Sequence, residues 1–365
     1  MRRDGRARGG FGSVFFIPER FPFLPPLVML TRAKRPVGCI MRARSCRLKR
    51  SACRIMKALT SERICVNRET YDLLVRETAC FYQLNAASFS ATRKAPWTGW
   101  NRLFEGSAAD FAGTSDAAQT SDVVRTDFAS ASDVTQSRDA TQASDALRTN
   151  LASALDAAQL PVRVLDVACG NLRFERFLQE RFPNRTLRMD ALDNCVALAN
   201  DLPQGVTFHE CDVLQALVEG TLSDWLPGAR YQLVASFGFM HHVPGHANRV
   251  RLLRELCSRV APGGFAAFSF WQFMKEPGLA TRAKESTAQA IEALGVKGLR
   301  ADELESGDYL LGWQGGHEAF RYCHSFDGAE IDALVSDAGL ASRVADRFEA
   351  DGRTGNLNAY LVIAG

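Results

Sequence analysis

The chain has 365 residues, of which 46% are apolar, so it can bury a sizeable core in one large domain or two small ones. Its formal net charge is +3, but residues 1–55 carry 14 Lys and Arg against only Asp4 and Glu19, a local charge of +12. The rest of the chain therefore sums to −9, so the positive net charge does not indicate a basic nucleic-acid surface on the folded part.

The basic extension at residues 1–55 is compatible with three interpretations: a nucleic-acid or membrane-surface arm, a targeting segment, or sequence upstream of a start at Met56. Its apolar runs, Val14–Ile17 and Phe21–Leu30, are separated by a proline and two charged residues. They are too short and too broken to span a bilayer, and no small-residue cleavage site follows them. We predict a disordered extension and no membrane partner.

Residues 56–104 are predicted to form a helical cap segment, because apolar side chains recur there at helical spacing. Residues 105–145 repeat Ser, Asp, Ala, Thr and Gln, with too few large apolar residues to bury a face. This composition predicts a low-complexity linker or insertion. A main domain is predicted over residues 146–365, beginning with a helical stripe of leucines at positions 147, 151 and 155.

Within the main domain, strand-length apolar runs alternate with amphipathic stretches of helical spacing. Strands are predicted at 162–167, 187–192, 206–210, 231–236, 264–270 and 357–363, and helices at 173–182, 195–201, 246–260, 279–294 and 328–338. This alternation predicts the α/β class, with a doubly wound, mostly parallel sheet. The segment 272–325 is too long for a simple crossover and is predicted to be a lid insertion over the carboxyl edge of the sheet.

The ten cysteines are scattered along the chain and form no Cys-x-x-Cys pair. This distribution favours reduced thiols over a disulfide framework. We therefore expect a cytoplasmic protein.

The stretch Val162–Asn171 predicts a buried strand followed by a tight turn and a helix. In doubly wound sheets, this arrangement forms the entrance to a nucleotide-type pocket beyond the carboxyl ends of the strands. Asp166 lies near the end of the strand, and Gly170 allows the backbone to approach a ligand that a Cβ atom would exclude.

Acidic residues also follow the next two predicted strands. Asp193 comes 23 residues after Gly170, a spacing that positions it to accept hydrogen bonds from both hydroxyls of a ribose. Asp212 follows the third strand, where its side chain would reach an adenine amino group. Three acids on successive strands are much stronger evidence for a nucleoside pocket than one.

Together these segments resemble a class I S-adenosylmethionine-dependent methyltransferase over residues 160–365. The matching segments are Val164–Asn171, Leu192–Asn194, Cys211–Asp212, Met240–His242 and Pro262–Gly264. The resemblance implies a Rossmann-like methyltransferase fold with seven strands, and S-adenosyl-L-methionine as the cofactor. It implies that the first strand and its turn hold the methionine moiety, and that the second and third acids bind ribose and adenine. The expected cofactor-binding residues are Asp166, Ala168, Gly170, Asp193, Asn194, Asp212, Val213 and Phe237.

Three further segments are similar to the tRNA wobble carboxymethyluridine methyltransferases: Tyr82–Arg93 with Trp97, Gly307–Trp313 and Arg321–Phe326. The resemblance implies that they shape the cap and the substrate mouth, and it implies a small activator protein as partner. The methyl acceptor stays open between a modified tRNA nucleoside carboxylate and a small molecule. The expected substrate contacts are Arg93, Trp271, Trp313, Tyr322 and His324.

The turn after the first strand departs from the family pattern. Ala168 and Leu172 stand where the family has small residues, usually glycine. We expect Leu172 to crowd the carboxylate end of the cofactor.

Two catalytic residues are predicted, one for each class of acceptor. The sulfonium makes the methyl group electrophilic, so the protein's task is in-line placement of an acceptor atom. For a carboxylate acceptor, Arg321 would bind it bidentately. For a hydroxyl or amine, His241 would act as general base. No metal is expected, because His241, His242 and His246 fit no single helix face and lack carboxylate partners.

Two other function classes stay open. A nicotinamide-dependent oxidoreductase could use the same topology, but the chain lacks the G-x-G-x-x-G fingerprint and has the third-strand acid. A non-catalytic, methyltransferase-like binding scaffold would account for the altered turn.

Overall fold

The computed structural model of the protein describes residues 66–105, 161–226, 228–313 and 316–365, without the side chains of residues 316–318. All described residues belong to one compact unit, Ser61–Gly365. The predicted extension at 1–55 and the elements predicted within residues 106–160 lie outside the described ranges.

The main sheet of the described residues has seven strands, and a separate hairpin has two. The strands are β1 Val162–Val167, β2 Leu187–Asp193, β3 Val206–Glu210, β4 Tyr231–Ser236, β5 Val260–Trp271, β6 Asp308–Trp313, β7 Gly316–His324, β8 Val344–Ala350 and β9 Asn358–Ala364. The sheet order is β3-β2-β1-β4-β5-β9-β8, and β6 pairs with β7 alone. Neighbours from β3 to β5 are parallel, and β9 is antiparallel to both β5 and β8. The predicted mostly parallel, seven-stranded α/β sheet is confirmed.

Helices cover both faces of this sheet. The α-helices of the described residues are α1 Arg68–Thr92, α2 Thr98–Leu103, α3 Arg173–Arg181, α4 Val213–Glu219, α5 Leu222–Trp225, α6 His246–Cys257, α7 Pro277–Gly295 and α8 Gly328–Asp337. One face packs against apolar residues of α4, α5, α6 and α8, and the other against α2 and α3. Successive side chains of a strand point to opposite faces, so Val164 packs in the second cluster and Leu165 in the first. Strand β1 is buried on both faces, which explains why four of its six residues are apolar.

The predicted helical cap consists of two helices with a break between them. Helix α1 begins at Asn67, whose side chain accepts a hydrogen bond from the Thr70 N–H. The chain leaves the helical conformation at Arg93, and Pro96 follows, which disfavours helical geometry in the residue before it. Helix α1 packs on β7, and α7 packs on β6, so the hairpin is held between two helices.

The predicted helix at 195–201 is wrong. Residues 196–198 form a turn, with the Leu198 N–H donating to the Cys195 carbonyl and the Ala199 N–H to the Val196 carbonyl. The carbonyls of Asn200 and Asp201 accept from the Arg176 guanidinium instead of from a following helical turn. Pro203 cannot donate a backbone hydrogen bond, so a helix cannot extend through this segment.

A buried polar network fastens the hairpin to the sheet. The Arg249 side chain on α6 is 0% exposed and forms ion pairs with three acids, Glu305, Asp308 and Glu330. It also donates to the Tyr322 hydroxyl on β7 at 2.8 Å, and this hydroxyl donates to Asp308 at 2.5 Å. The Arg249 cation therefore compensates one acid of the hairpin (Asp308), one acid just before the hairpin (Glu305) and one acid of α8 (Glu330).

No α-helix of the described ranges is long and apolar enough to cross a membrane. The six cysteines in these ranges are free thiols.

Replacement of Arg249 by methionine is expected to lower the free energy of unfolding by about 3–5 kcal/mol, because it leaves buried acids without a cation. Denaturant unfolding followed by circular dichroism measures this change. The control is Arg251→Met, an exposed site on the same helix, expected to change the free energy by less than about 0.5 kcal/mol. Equal effects of the two substitutions would contradict the role of the network.

Candidate cofactor and acceptor site

A cavity that opens to solvent lies at the carboxyl edge of β1 to β4, with about 1040 Å³ of empty space, including the open solvent at its mouth. Its floor is formed by the turns that follow these strands, and its wall by helix α1 and the residues after it. All eight residues predicted to bind the cofactor line this cavity, as does Arg93 from the predicted substrate set. The eight predicted cofactor residues that line it are Asp166, Ala168, Gly170, Asp193, Asn194, Asp212, Val213 and Phe237.

Asp193 joins the ends of two neighbouring strands. Its Oδ2 accepts the Gly170 N–H at 2.9 Å, and its Oδ1 accepts the Cys195 N–H at 2.8 Å. The side chain is 9% exposed, and burial raises the pKa of its carboxyl. Each carboxylate oxygen keeps a second lone pair, so Asp193 can still accept hydrogen bonds from a diol in the cavity.

Asp212 is oriented by the start of helix α4. Its Oδ1 accepts the Gln215 N–H at 3.0 Å as the N-cap of the helix, and its Oδ2 accepts the Asn194 side-chain amide at 3.3 Å. The cap and the amide fix the carboxylate at the cavity wall, beside the position of Asp193. Its predicted role as an adenine contact stays a prediction.

The turn after β1 shows why glycine is usual there. Ala168 and Leu172 have φ values of 64° and 58°, and Gly170 has 56°, all in the left-handed region. Leu172 is 0% exposed and packs with Cys169 and Ala191 in the core, outside the cavity lining. The expectation that Leu172 crowds the cofactor is therefore wrong, because the left-handed backbone directs its side chain into the core.

Helix α1 contributes a hydrogen-bonded wall that the sequence did not assign to the cofactor site. The Tyr82 hydroxyl lies 2.8 Å from Nε2 of His242, and Nδ1 of His242 lies 2.6 Å from the Tyr322 carbonyl. Because a carbonyl only accepts, Nδ1 carries the proton, and Nε2 accepts from Tyr82. Burial and then Arg321 lower the pKa of His242 to about 3, so this imidazole is neutral. Burial raises the pKa of Tyr82 to about 12.

Behind this wall lies the predicted catalytic pair, His241 and Arg321. The Arg321 guanidinium carbon is 4.8 Å from the centre of the Phe81 ring, 5.9 Å from Trp271 and 5.7 Å from Trp313. The His241 ring is 5.1 Å from that of Trp271 and 4.1 Å from that of His242. Four of the predicted residues thus converge in one aromatic chamber, which we call the arginine chamber: His241, Trp271, Trp313 and Arg321.

The electrostatics of the arginine chamber are unusual. Arg321 is 7% exposed, its Nε has no hydrogen-bond partner, and it forms no ion pair among the described residues. Burial, then His242 and Arg321, lower the pKa of His241 well below the ordinary histidine value. Nδ1 of His241 is also buried without a partner. The chamber therefore contains neutral imidazoles and one cation that contacts Tyr82 and Cys323 but has no acidic partner among the described residues.

Among the predicted substrate and catalytic residues only Arg93 lines the cavity, and Tyr322 and His324 lie outside both the cavity and the arginine chamber. The Tyr322 hydroxyl belongs to the Arg249 network described above. His324 is 1% exposed and lies between Asp308 at 2.6 Å and Glu330 at 2.8 Å. Their hydrogen-bonding groups are occupied within the protein, which favours a structural role over substrate contact.

Several residues of the cavity wall were not singled out from the sequence as cofactor residues. The helical spacing and aromatic content of α1 were visible, but the placement of the helix over the sheet was not. The residues that line the cavity and were not assigned to the cofactor from the sequence include Val75, Thr78, Ala79, Trp100, Arg173, Leu198, Gly238, Phe239 and His242.

Two groups of three potential metal ligands occur in the described part of the chain. They are His241 with His242 and Cys323, and Glu305 with Asp308 and His324, each with ligand atoms within 4.8 Å of one another. The sequence argument did not consider either combination. The first group lies beside the Arg321 cation, and the second is already engaged with Arg249, arrangements that disfavour another cation. The absence of a metal stays a prediction.

A family comparison identifies the class of protein. Residues 138–343, more than half of the chain, match the model of a methyltransferase domain family. The chain belongs to this methyltransferase family. The family and the row of acids at the strand ends indicate S-adenosylmethionine as its cofactor.

Curated relatives and solved structures are more distant. A trans-aconitate 2-methyltransferase of Streptomyces avermitilis is 26% identical over 224 residues, covering 55% of this chain and 78% of the relative. One of Acidovorax sp. is 28% identical over 118 residues, covering 32% of this chain, and the match spans only 41% of that relative's length.

Two solved structures are similar at low identity. A SAM-dependent methyltransferase of Methanosarcina mazei shows 17% identity and a TM-score of 0.38. The match covers 57% of this chain and 93% of the other chain. Magnesium protoporphyrin IX methyltransferase of Synechocystis, with bound SAH, shows 14% identity and a TM-score of 0.37, covering 79% and 100%.

Substitution of Asp193 by alanine is expected to weaken S-adenosylmethionine binding by about 10- to 150-fold, the effect of losing hydrogen bonds to a charged group. Isothermal titration calorimetry measures this affinity. Asp224→Ala, at an exposed acid on α5, is the control and should bind as the wild type does. Unchanged affinity in the Asp193 variant would refute the assignment of the ribose site.

Proposed function

We propose that this methyltransferase transfers the methyl group of S-adenosylmethionine to a carboxylate oxygen of a small organic acid and forms a methyl ester. The observation that carries the proposal is the buried Arg321 guanidinium, which has no acidic partner among the described residues. A buried charge is costly unless it is paired. A substrate carboxylate is the partner that a planar guanidinium binds best, through two parallel hydrogen bonds.

The aromatic walls of the arginine chamber support the same substrate class. Cation–π contacts with Phe81, Trp271 and Trp313 contribute about 0.5–2 kcal/mol each and leave the edge of the guanidinium for an anion. These rings also offer apolar faces to the carbon skeleton of an acid.

The histidines argue against an acceptor that must lose a proton. A general base is most effective when its pKa lies near the working pH, but burial keeps His241 and His242 far below that range. His241 therefore suits the predicted role of base poorly. A carboxylate arrives already ionised and needs no base, so the chamber matches this acceptor better than a hydroxyl or an amine.

The names of the relatives agree with this substrate class. Trans-aconitate 2-methyltransferases are named for an acid substrate, and the Streptomyces relative matches over 224 residues. This similarity supports a small organic acid as acceptor; the particular acid is part of the proposal.

The chain's own residues have three tasks in this reaction. When bound, S-adenosylmethionine supplies a methyl group on a sulfonium, so a carbon–oxygen bond forms as the carbon–sulfur bond breaks. Asp193 orients the nucleoside, and Arg321 holds the acceptor carboxylate. Tyr82 bonds to His242 and also contacts Arg321, so it links the wall of the cofactor cavity to the acceptor cation. Orientation of this kind can lower the activation free energy by about 7–11 kcal/mol.

A tRNA wobble nucleoside that carries a carboxymethyl group is the second candidate acceptor. Its carboxylate would satisfy Arg321 equally well, and residues 82–93 resemble the corresponding enzymes. In that case, a small activator protein and a cytoplasmic location would be part of the proposal too.

Labelled S-adenosylmethionine distinguishes these acceptors. The purified chain is incubated with trans-aconitate and other small carboxylic acids, or with bulk tRNA, and the product is treated with alkali. We expect label in the small acids that alkali releases as methanol, because esters hydrolyse under these conditions and methyl ethers and amines do not. Alkali-stable label, or label in tRNA alone, would overturn the proposal of a small acid ester.

Replacement of Arg321 by methionine is expected to lower kcat/KM for the acid by about 30- to 5000-fold, the effect of losing about 2–5 kcal/mol of a buried charge pair. S-adenosylmethionine affinity should stay within about twofold. Arg321→Lys keeps the charge without the bidentate geometry, so its kcat/KM for the acid should lie between those of the wild type and of Arg321→Met.

The same variant is expected to be at least as stable as the wild type, because methionine removes an unpaired buried charge. Thermal unfolding provides this second measurement. A methionine variant that loses stability and keeps its activity would assign Arg321 to the fold instead of the acceptor.

A further inference from the structure

Two buried carboxyl groups lie together beneath the turn that follows β1. Asp166 is 2% exposed, and Glu175 on α3 is 0% exposed. Oδ1 of Asp166 and both side-chain oxygens of Glu175 have no hydrogen-bond partner among the described residues. A buried acceptor without a partner costs about 1–3 kcal/mol, and more when it is charged. Three such oxygens in one place point to a missing donor or cation.

The first missing donor is a proton. Two ionised carboxylates can only accept hydrogen bonds, whereas one shared proton supplies a donor between them. Burial and then Glu175 raise the pKa of Asp166 well above its usual range, and burial raises the pKa of Glu175 to about 7. Among the facing groups, Asp193 adds to both shifts and Arg176 opposes that of Glu175, while the Cys169 thiol is kept neutral by burial.

The second partner is a cation from the cavity. Asp166 lines the cavity, whereas Glu175 lies behind it and does not. A cationic group that enters the cavity meets Asp166 first and competes with the shared proton. The cofactor of this family has such a group, the α-ammonium of its methionine moiety.

We propose that Asp166 and Glu175 share one proton in the free protein, and that the pair releases this proton when the ammonium group of S-adenosylmethionine binds against Asp166. Glu175 is a positioning residue in this arrangement, because it acts on the ligand through Asp166. The proposal rests on the cofactor alone and does not depend on which acceptor is methylated.

The direction of the pH effect follows from the charge of the pair. As the pH falls through about 7, the free pair takes up a proton, and this proton must leave before a cation is stabilised. Cofactor affinity should therefore fall as the pH falls, and linkage of one proton predicts about fivefold weaker binding at pH 6 than at pH 7. This range keeps the ligand's own α-amino group protonated, since its pKa is about 7.7–8.0.

Calorimetric titration in two buffers of different ionisation enthalpy measures proton release directly. At pH 6.5 the wild-type chain is expected to release more than half a proton on binding S-adenosylmethionine. Glu175→Gln should release none and should bind equally well at pH 6 and pH 7, because glutamine donates to Asp166 without titrating. Glu180→Gln, at an exposed site on the same helix, is the matched control and should behave as the wild type does.

A second ligand tests the ammonium itself. 5′-Methylthioadenosine has the nucleoside and the sulfur but no amino acid moiety, so its binding should release no proton from the wild-type chain. This comparison needs no variant and remains decisive if Glu175→Gln fails to fold. Equal proton release with both ligands, no release with S-adenosylmethionine, or unchanged release in Glu175→Gln would each overturn the proposal.

Discussion

The hydrogen bonds of the Asp193 carboxylate are the constraint on which the cofactor site depends. One oxygen accepts from Gly170 and the other from Cys195, so a single buried side chain fixes the turn after β1 against the end of β2. Each bond satisfies a backbone N–H that has no other protein acceptor among the described residues. The same carboxylate lines the cavity, where its remaining lone pairs are available to a ligand.

Charge is separated between the cavity and the arginine chamber. Asp166, Asp193 and Asp212 line the cavity at the strand ends, whereas Arg321 lies in the arginine chamber and Arg93 lies near Trp313. We propose that the acids stabilise a cationic cofactor and that the guanidiniums stabilise an anionic acceptor. Because both guanidiniums lie near Trp313, an anion bound there would reduce their mutual repulsion. This polarity favours an acidic acceptor for electrostatic reasons that do not depend on any relative.

The sequence predicted the parts of the fold that depend on local patterns. Strands β1, β3 and β4 have the predicted bounds, because short, β-branched apolar runs ended by turn residues have few alternatives. The acids at the strand ends follow from this pattern, since parallel strands bring their carboxyl ends to one edge. The helix predicted at 195–201 failed because its carbonyls bond to the distant Arg176 side chain, a contact that no local pattern reveals.

The acceptor side of the site was less predictable, since it depends on contacts between distant segments. Trp313 on the hairpin donates to Ser88 on α1, and Tyr82 on α1 bonds to His242 after β4. The aromatic residues themselves were visible in the sequence, but their closure around Arg321 was not. Tyr322 and His324 have the composition of substrate contacts and instead satisfy buried acids. The residue types of Tyr322 and His324 thus suggested substrate contacts, whereas their hydrogen-bond partners in the structure favour a structural role.

We propose that the strand-end acids hold the nucleoside of S-adenosylmethionine. A crystal structure of the chain with S-adenosylhomocysteine tests this assignment. We expect the nucleoside in the cavity, with both ribose hydroxyls on the Asp193 carboxylate and the adenine beside Asp212. A nucleoside bound outside the cavity, or an Asp193 carboxylate bonded only to Gly170 and Cys195, would contradict it.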